Sequence, residues 1–494
     1  MKRRIWLIAA ALLVVGCKST ERTIVDDAAA ALGGAERIQA VNTLVIEGTG
    51  ENGNLGQSLS PDALQTFQVT ESKRSIDLAG GRMRLQQTRT ATFGPPNPAP
   101  QIQNFGLDRD VAYNIAADGT PARAAEQVAK DRRMEILHHP IGALRAALAQ
   151  GAQLSNPRKE GNDDVVDIAT AQGDKLTLYV ESGTKLPSKV VSMTANNANW
   201  PIGDVTIATS FSNYTDVEGL KLPGRITSRT DQHTTADIQV SKNTVNGDVG
   251  DLAAPEAARS AAAPGIPAPM VTAEEVAKGV WYLAGQSHHS VLVEFADHLA
   301  LIEAPQHEVR TGAVLDKVKE LKSEKPLRYV VNTHHHFDHS GGIRRAMAEE
   351  GVTIITHAGN KAFYEEIAKR PHTMYPDTLS KSPKTPNIIG ITEKHELKDA
   401  TRTVEIHPIP NLHSDTMLVV YLPAERLLIE ADLYTPPPPN TRPPPQGFPN
   451  APSIVESVQK LGLRVDRIMP IHGFIVPYRN LEAAVRTSPG GARR

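Results

Sequence analysis

The chain has 494 residues, enough for two or three domains of ordinary size. Its 53 Lys and Arg against 55 Asp and Glu give a formal net charge of −2, without the basic surplus that a dedicated nucleic-acid binder needs to displace counterions. With 40% hydrophobic and 22% charged residues it can bury a core, and its one cysteine, Cys17, excludes a disulfide framework, a zinc site of several thiolates and an iron–sulfur cluster within one chain.

Lys2, Arg3 and Arg4 precede an apolar run at 5–15, which is shorter than the ~20 residues of a membrane span. The run ends in Val14-Val15-Gly16-Cys17. This segment resembles the lipobox of bacterial lipoproteins, in which the signal peptide is cut before the cysteine and the thiol accepts lipid. The resemblance implies a signal peptide and lipobox at 1–17, with Cys17 as the lipidation site. It also implies anchorage by lipid at the periplasmic face of a bacterial membrane. Lys18, where some bacteria use Asp as a retention signal, points to the outer membrane. No later stretch offers an uninterrupted apolar span.

Residues 18–250 form the first domain and read mainly as strands. A short helix at 26–39 leads into TLVIEGTG, and alternating segments such as DKLTLYVES and DIQVSKNTVN follow between Gly, Asn and Asp. A helical stretch at 124–150 interrupts them, with His138 and His139 at a break before Pro140 as structural or surface histidines. The pattern predicts a curved antiparallel sheet with a helix across its concave face. It resembles the lipoprotein-carrier (LolA/LolB-like) half-barrel, in ALGGAERIQAVNTLVIEGTG and YTDVEGLKLPGRITSRT.

Residues 251–270, DLAAPEAARSAAAPGIPAPM, carry 12 Ala and Pro in 20 positions without apolar periodicity, which predicts a semi-extended linker. Beyond it, 271–494 alternates strands with helices. VWYLAG is a strand, SVLVEFADHLALIEAP a hairpin, 308–321 an amphipathic helix and LRYVVNT a buried strand. A helix at 342–350 precedes the strands TIITHAG, MLVVYLP and RLLIEADLY, and 453–461 is another helix. Hairpins mixed with β–α units predict a layered α/β sandwich.

Of 17 histidines, 14 lie between His288 and His472. Three of them open the key segment, Asn332-Thr333-His334-His335-His336-Phe337-Asp338-His339-Ser340-Gly341-Gly342. In extended chain, side chains alternate, so His334 and His336 face the same way and His335 faces away. Asp338 and His339 follow at the turn into a helix. One imidazole pair beside a carboxylate and an imidazole suits two adjacent metal ions. Three further candidates close or flank apolar strands downstream: His413 in IPNLHSD, Asp432 in LIEADLY and His472 in MPIHGF.

His-x-His-x-Asp-His after such a strand and before Gly-Gly resembles the signature of the metallo-β-lactamase superfamily, over 275–480. The resemblance implies a four-layered αββα sandwich in the C-terminal domain. It implies that His334, His336 and His413 hold one metal, that Asp338, His339 and His472 hold a second, and that Asp432 bridges them. The donors suit two Zn(II) per chain, and Fe or Mn as well. The implied chemistry is metal-dependent hydrolysis of a small-molecule substrate. A metal-bridging hydroxide attacks the carbonyl of a lactone, ester, thioester or cyclic amide, and Asp338 orients it as the catalytic group. Asp432 stands where the best-known zinc β-lactamases carry Cys, which favours the glyoxalase II and lactonase branches over β-lactam hydrolysis. Glu303 stands where many members carry Asp, as an outer partner of the site. His288 and His289 read first as core or surface residues, with a place in the lining of the pocket as the alternative. Glu430 reads as an outer partner of the site or as one half of a salt bridge. The second function class is a periplasmic lipoprotein that binds a lipid or hydrophobic ligand in its first domain, with the hydrolase domain secondary.

Overall fold

The computed structural model describes residues 19–94, 97–197, 200–438, 441 and 447–487. The segment 1–17 expected to be a signal peptide and lipobox, with Cys17, lies outside the described residues, as does Lys18.

The first domain is a large antiparallel sheet, thirteen strands among the described residues, from Pro121–Arg123 at one edge to Gln153–Glu160 at the other. Its centre is closed by the first and last strands of the domain, Thr43–Gly53 and His233–Val245, which pair antiparallel. Period-two alternation makes these strands. In Lys175–Glu181, Leu176, Leu178 and Val180 are buried while the residues between them are not. The buried face packs on helices Thr20–Leu32, Ala35–Ala40, Glu126–Leu137 and Pro140–Leu148, whose Val25, Leu32, Ile38, Ile141 and Leu144 join one apolar core.

One expected helix is interrupted, and the second breaks where the sequence places its break. The helix expected at 26–39 divides at Gly33 and Gly34, whose φ of 131° and 103° suit glycine. The stretch at 124–150 divides at His138–Pro140, because proline disfavours helical geometry in the residue before it and His139 is extended. His138 is buried, with Nδ1 2.9 Å from Thr209 Oγ1 and Nε2 2.8 Å from Ser192 Oγ. The Ala/Pro stretch is not semi-extended throughout. Leu252, Ala254 and Ala258 are buried against the sheet, and Glu256–Ser260 forms a helical turn.

The C-terminal half contains two mixed sheets. The first runs from Thr272–Ala277 to Asn387–Ile391, and the second from His395–Lys398 to Val476–Pro477. They face each other across a core in which Val291, Val331 and Ile355 of one sheet meet Val404, Leu418 and Ile429 of the other. Helices Glu308–Leu321 and Ala358–Lys369 cover the outer face of the first sheet, and Ala451–Lys460 and Tyr478–Thr487 cover that of the second. The order is therefore helix, sheet, sheet, helix. Tyr434 and Phe448 are buried against each other in this outer core, their rings 4.9 Å apart. No helix of the described residues is long and apolar enough to cross a membrane.

The two halves share apolar packing. Leu55, Ile202 and Val205 of the first domain lie in one core with Trp281, Val314 and Ile343 of the second. Beside it, Arg370 meets Asp231 at 2.5 Å, and Asp204 accepts from the Thr373 backbone at 2.8 Å.

Candidate metal centre

The strand Leu327–Val331 lies between two parallel neighbours, Leu299–Ile302 and Thr353–His357, so its apolar residues carry it into the interior. The chain leaves it at Asn332. Asn332 donates to the His339 carbonyl at 3.2 Å and accepts from the Tyr364 hydroxyl, which fixes the turn. His334 and His336 then share a side, their ring centroids 4.5 Å apart, while His335 turns away to Thr416 Oγ1 at 3.1 Å. The short helix Phe337–Ser340 presents Asp338 and His339.

Two clusters of ligand atoms form. In one, His334, His336, His413 and Asp432 place one nitrogen or oxygen each within 4.8 Å of one another. In the other, His288, Asp338, His339 and His472 do the same. Asp432 lies between them. Its Oδ2 is 2.8 Å from His339 Nε2, 3.1 Å from His334 Nε2 and 3.2 Å from His413 Nε2, and its Oδ1 is 2.8 Å from His472 Nε2. All seven residues read from the sequence as ligands thus converge. His288 is a residue that sequence reading missed. It reads first as core or surface, yet its Nε2 lies 3.1 Å from Asp338 Oδ2. It stands two residues before the strand Ser290–Glu294, and nothing in that local context signals a contact with residue 338.

The partners of the outward ring nitrogens set the tautomers. A carbonyl only accepts, so His336 Nε2–H donates to Ser58 O at 2.8 Å and His472 Nδ1–H donates to Ser287 O at 2.9 Å. The other nitrogen of each ring then keeps its lone pair toward the centre. His339 Nδ1 donates to Glu303 Oε2 at 2.7 Å, and Glu303 Oε1 accepts from the Thr333 backbone at 2.7 Å. Glu303 is fully buried, and both it and Asp432 have positive φ, 75° and 61°, a conformation costly for non-glycine residues. Glu430 is no salt-bridge partner among the described residues. Buried, it accepts from the Leu433 and Tyr434 backbone at 3.2 Å each, and burial pushes it up to about 8.

These groups fit divalent cations. His336 Nδ1 is buried without a hydrogen-bond partner, and His334 Nε2 meets Asp432 Oδ2 without hydrogen-bond geometry. His339 Nε2 and His472 Nε2 face each other at 3.1 Å. A buried imidazole nitrogen left without a hydrogen-bond partner is costly unless a cation takes its lone pair. Burial holds His334 and His336 well below the ordinary imidazole range. Burial also works against the charge of His339, but Asp432 and Glu303 outweigh it and hold that imidazole well above its ordinary value. Burial would raise Asp432, yet His339, His334 and His413 hold it well below the carboxylate range.

Residues 284–472 match the model of the metallo-beta-lactamase superfamily. The C-terminal half carries a domain of this hydrolase fold, with its His-rich metal site intact. A stretch of 41 residues is 42% identical to hydroxyacylglutathione hydrolase of Pelagibacter ubique (strain HTCC1062), 8% of this chain and 17% of that protein. Among solved structures, a metallo-beta-lactamase from Pontibacter korlensis is 18% identical, with a TM-score of 0.34 over 43% of this chain and 96% of that one. The sec-alkylsulfatase Pisa1 from Pseudomonas sp. is 17% identical, with a TM-score of 0.32 over 43% of this chain and 40% of its own.

Proposed function

We propose that the C-terminal half is a binuclear zinc hydrolase that opens a lactone, ester, thioester or cyclic amide by attack of water on the carbonyl. The observation that carries this reading is the Asp432 carboxylate, with four imidazole nitrogens within 3.2 Å, between two ligand clusters. His334, His336 and His413 would hold one ion, and Asp338, His339 and His472 the other, with Asp432 between them and His288 beside the second. Two divalent ions there supply a Lewis acid for the carbonyl and acidify a water to a pKa of about 7.

The chain's own residues do the rest. Asp338 arrives ionised. Burial opposes this, but the hydrogen bond from His288 holds its carboxyl well below the usual range. It is the group that orients the attacking water and takes its proton. Glu303 holds His339 in the tautomer that leaves Nε2 free for metal. His413 and His472 keep part of their side chains exposed, 23% and 15%, whereas His334 and His339 are sealed, so substrate enters from the His413 and His472 side. Leu412 and Phe474, next to these two segments, are exposed apolar side chains and favour a substrate with an apolar part.

In the same proposal Cys17 is lipidated and tethers the enzyme to the periplasmic face of a bacterial membrane, the outer one by the Lys18 signal. The first domain is a lipoprotein-carrier-like half-barrel, and the substrate is a small molecule. Metal analysis of the purified full chain, with a panel of lactones, thioesters and β-lactams, tests the reading. Two zinc ions and turnover that vanishes in His336→Ala support it. Undiminished turnover in that variant refutes it.

A further inference from the structure

The strands Thr43–Gly53 and Thr66–Asp77 of the first domain are joined by a loop at 54–65 that leaves its own sheet and enters the metal centre. Inside the loop, the Asn54 backbone donates to Gln65 O at 2.7 Å and Ser58 Oγ donates to Asn54 O at 2.9 Å, so the loop holds its own shape. Its tip then meets both ligand-bearing segments of the other domain. The Phe337 backbone donates to Gly56 O at 3.1 Å, which satisfies an N–H at the start of the helix bearing Asp338 and His339. The Asp415 backbone donates to Leu59 O at 2.8 Å, two residues beyond His413. Ser58 O accepts the hydrogen bond of His336 Nε2–H, and Gln57 Nε2 donates to Asp338 Oδ1 at 2.8 Å.

We propose that this loop is a wall of the metal centre, so that the first domain completes the hydrolase site, with Gln57 as the positioning residue of Asp338. The proposal rests on reading the two clusters as a binuclear centre. Two directional bonds distinguish the loop from a packing contact. Without Ser58 O, no other hydrogen-bond acceptor among the described residues would keep the proton of His336 on Nε2 and the Nδ1 lone pair toward the ions. Without Gln57, the Asp338 carboxylate keeps a bond to His288 on Oδ2 and loses the one on Oδ1, so one of the two hydrogen bonds that fix its plane is gone. A sheet built only to carry or dock would not need an amide aimed at a carboxylate in its neighbour's reaction centre.

The experiment is a Co(II) titration of the metal-depleted full chain against a competing chelator, followed by the visible absorption of each bound equivalent. Gln57→Met keeps the length of the side chain and removes its donor, and Gln57→Ala is the second variant. Both are expected to weaken one Co(II) equivalent by about 10–100-fold, the range for loss of an outer partner. It should be the equivalent that His472→Ala also weakens. Arg370→Met, which loosens the domain junction away from the centre, is expected to leave both equivalents unchanged. Two equivalents bound by the Gln57 variants as tightly as by the natural chain overturn the inference and leave the hydrolase reading standing. Equal weakening by Arg370→Met also overturns it, since general docking then accounts for the effect. A natural chain that binds no Co(II) overturns both.

Discussion

Glu303→Gln isolates one step in the logic of the centre. The Glu303 carboxylate is fully buried and accepts two hydrogen bonds, from His339 Nδ1 at 2.7 Å and from the Thr333 backbone at 2.7 Å. A glutamine of the same shape offers one acceptor and one donor. If its oxygen serves Thr333, its NH2 faces His339 Nδ1, and the imidazole must shift its proton to Nε2. That nitrogen is the one 2.8 Å from Asp432 and 3.1 Å from His472 Nε2, so the shift closes a coordination position. If the amide turns over, the Thr333 N–H is left unpaired in a buried site, at about 1–3 kcal/mol. The first arrangement leaves every buried donor paired and is the one expected, so the second ion loses about 10–100-fold in affinity, roughly 1.4–2.8 kcal/mol, while the first keeps its ligands; the turned-over amide would keep the His339 tautomer and show its cost in folding instead. Zinc titration against a chromophoric chelator reads this directly, with circular dichroism as the control for folding. Two ions held as tightly as in the natural chain, or selective loss of the ion at His334, His336 and His413, would refute the argument.

Two other perturbations separate further parts of the reasoning. Asp432→Asn removes the charge that four imidazoles share, so both zinc equivalents are expected to weaken; loss of one alone, measured by the same titration, contradicts the placement between the clusters. Far from the centre, burial holds His138 down at about 4, so between pH 6.5 and 4 the unfolded chain binds a proton that the folded chain refuses. Stability therefore falls with acidity across that window by about 3 kcal/mol from this residue, and His138→Gln, which can still meet Ser192 and Thr209, should flatten the loss in urea denaturation at pH 7 and 4.5. Equal pH slopes for the two proteins would show that His138 is not held neutral.

The amino-acid order alone determined the elements and the chemistry that local pattern encodes. Alternation made the strands of the first domain, and the spacing of His334, His336, Asp338 and His339 along one chain turn named a metal site before any fold was known. These are short-range properties, since a side chain's direction in a strand or turn depends on a few neighbouring dihedrals. The break before Pro140 was legible as well, but the effect of the glycine pair at 33–34 on helix length was not, because packing decides how far a helix runs on either side of a break. Contacts that join distant segments were decided only by the tertiary structure. His288 looked like one more interior histidine until the sheets brought it to Asp338, 50 positions away. Gln57 and Ser58 carry no motif at all, and their place at the centre depends on how the first domain docks, 281 residues from Asp338 and 278 from His336. A hydrogen bond across such separations leaves no periodicity in the sequence, because its geometry is set by the whole of the packed core rather than by the residues that make it.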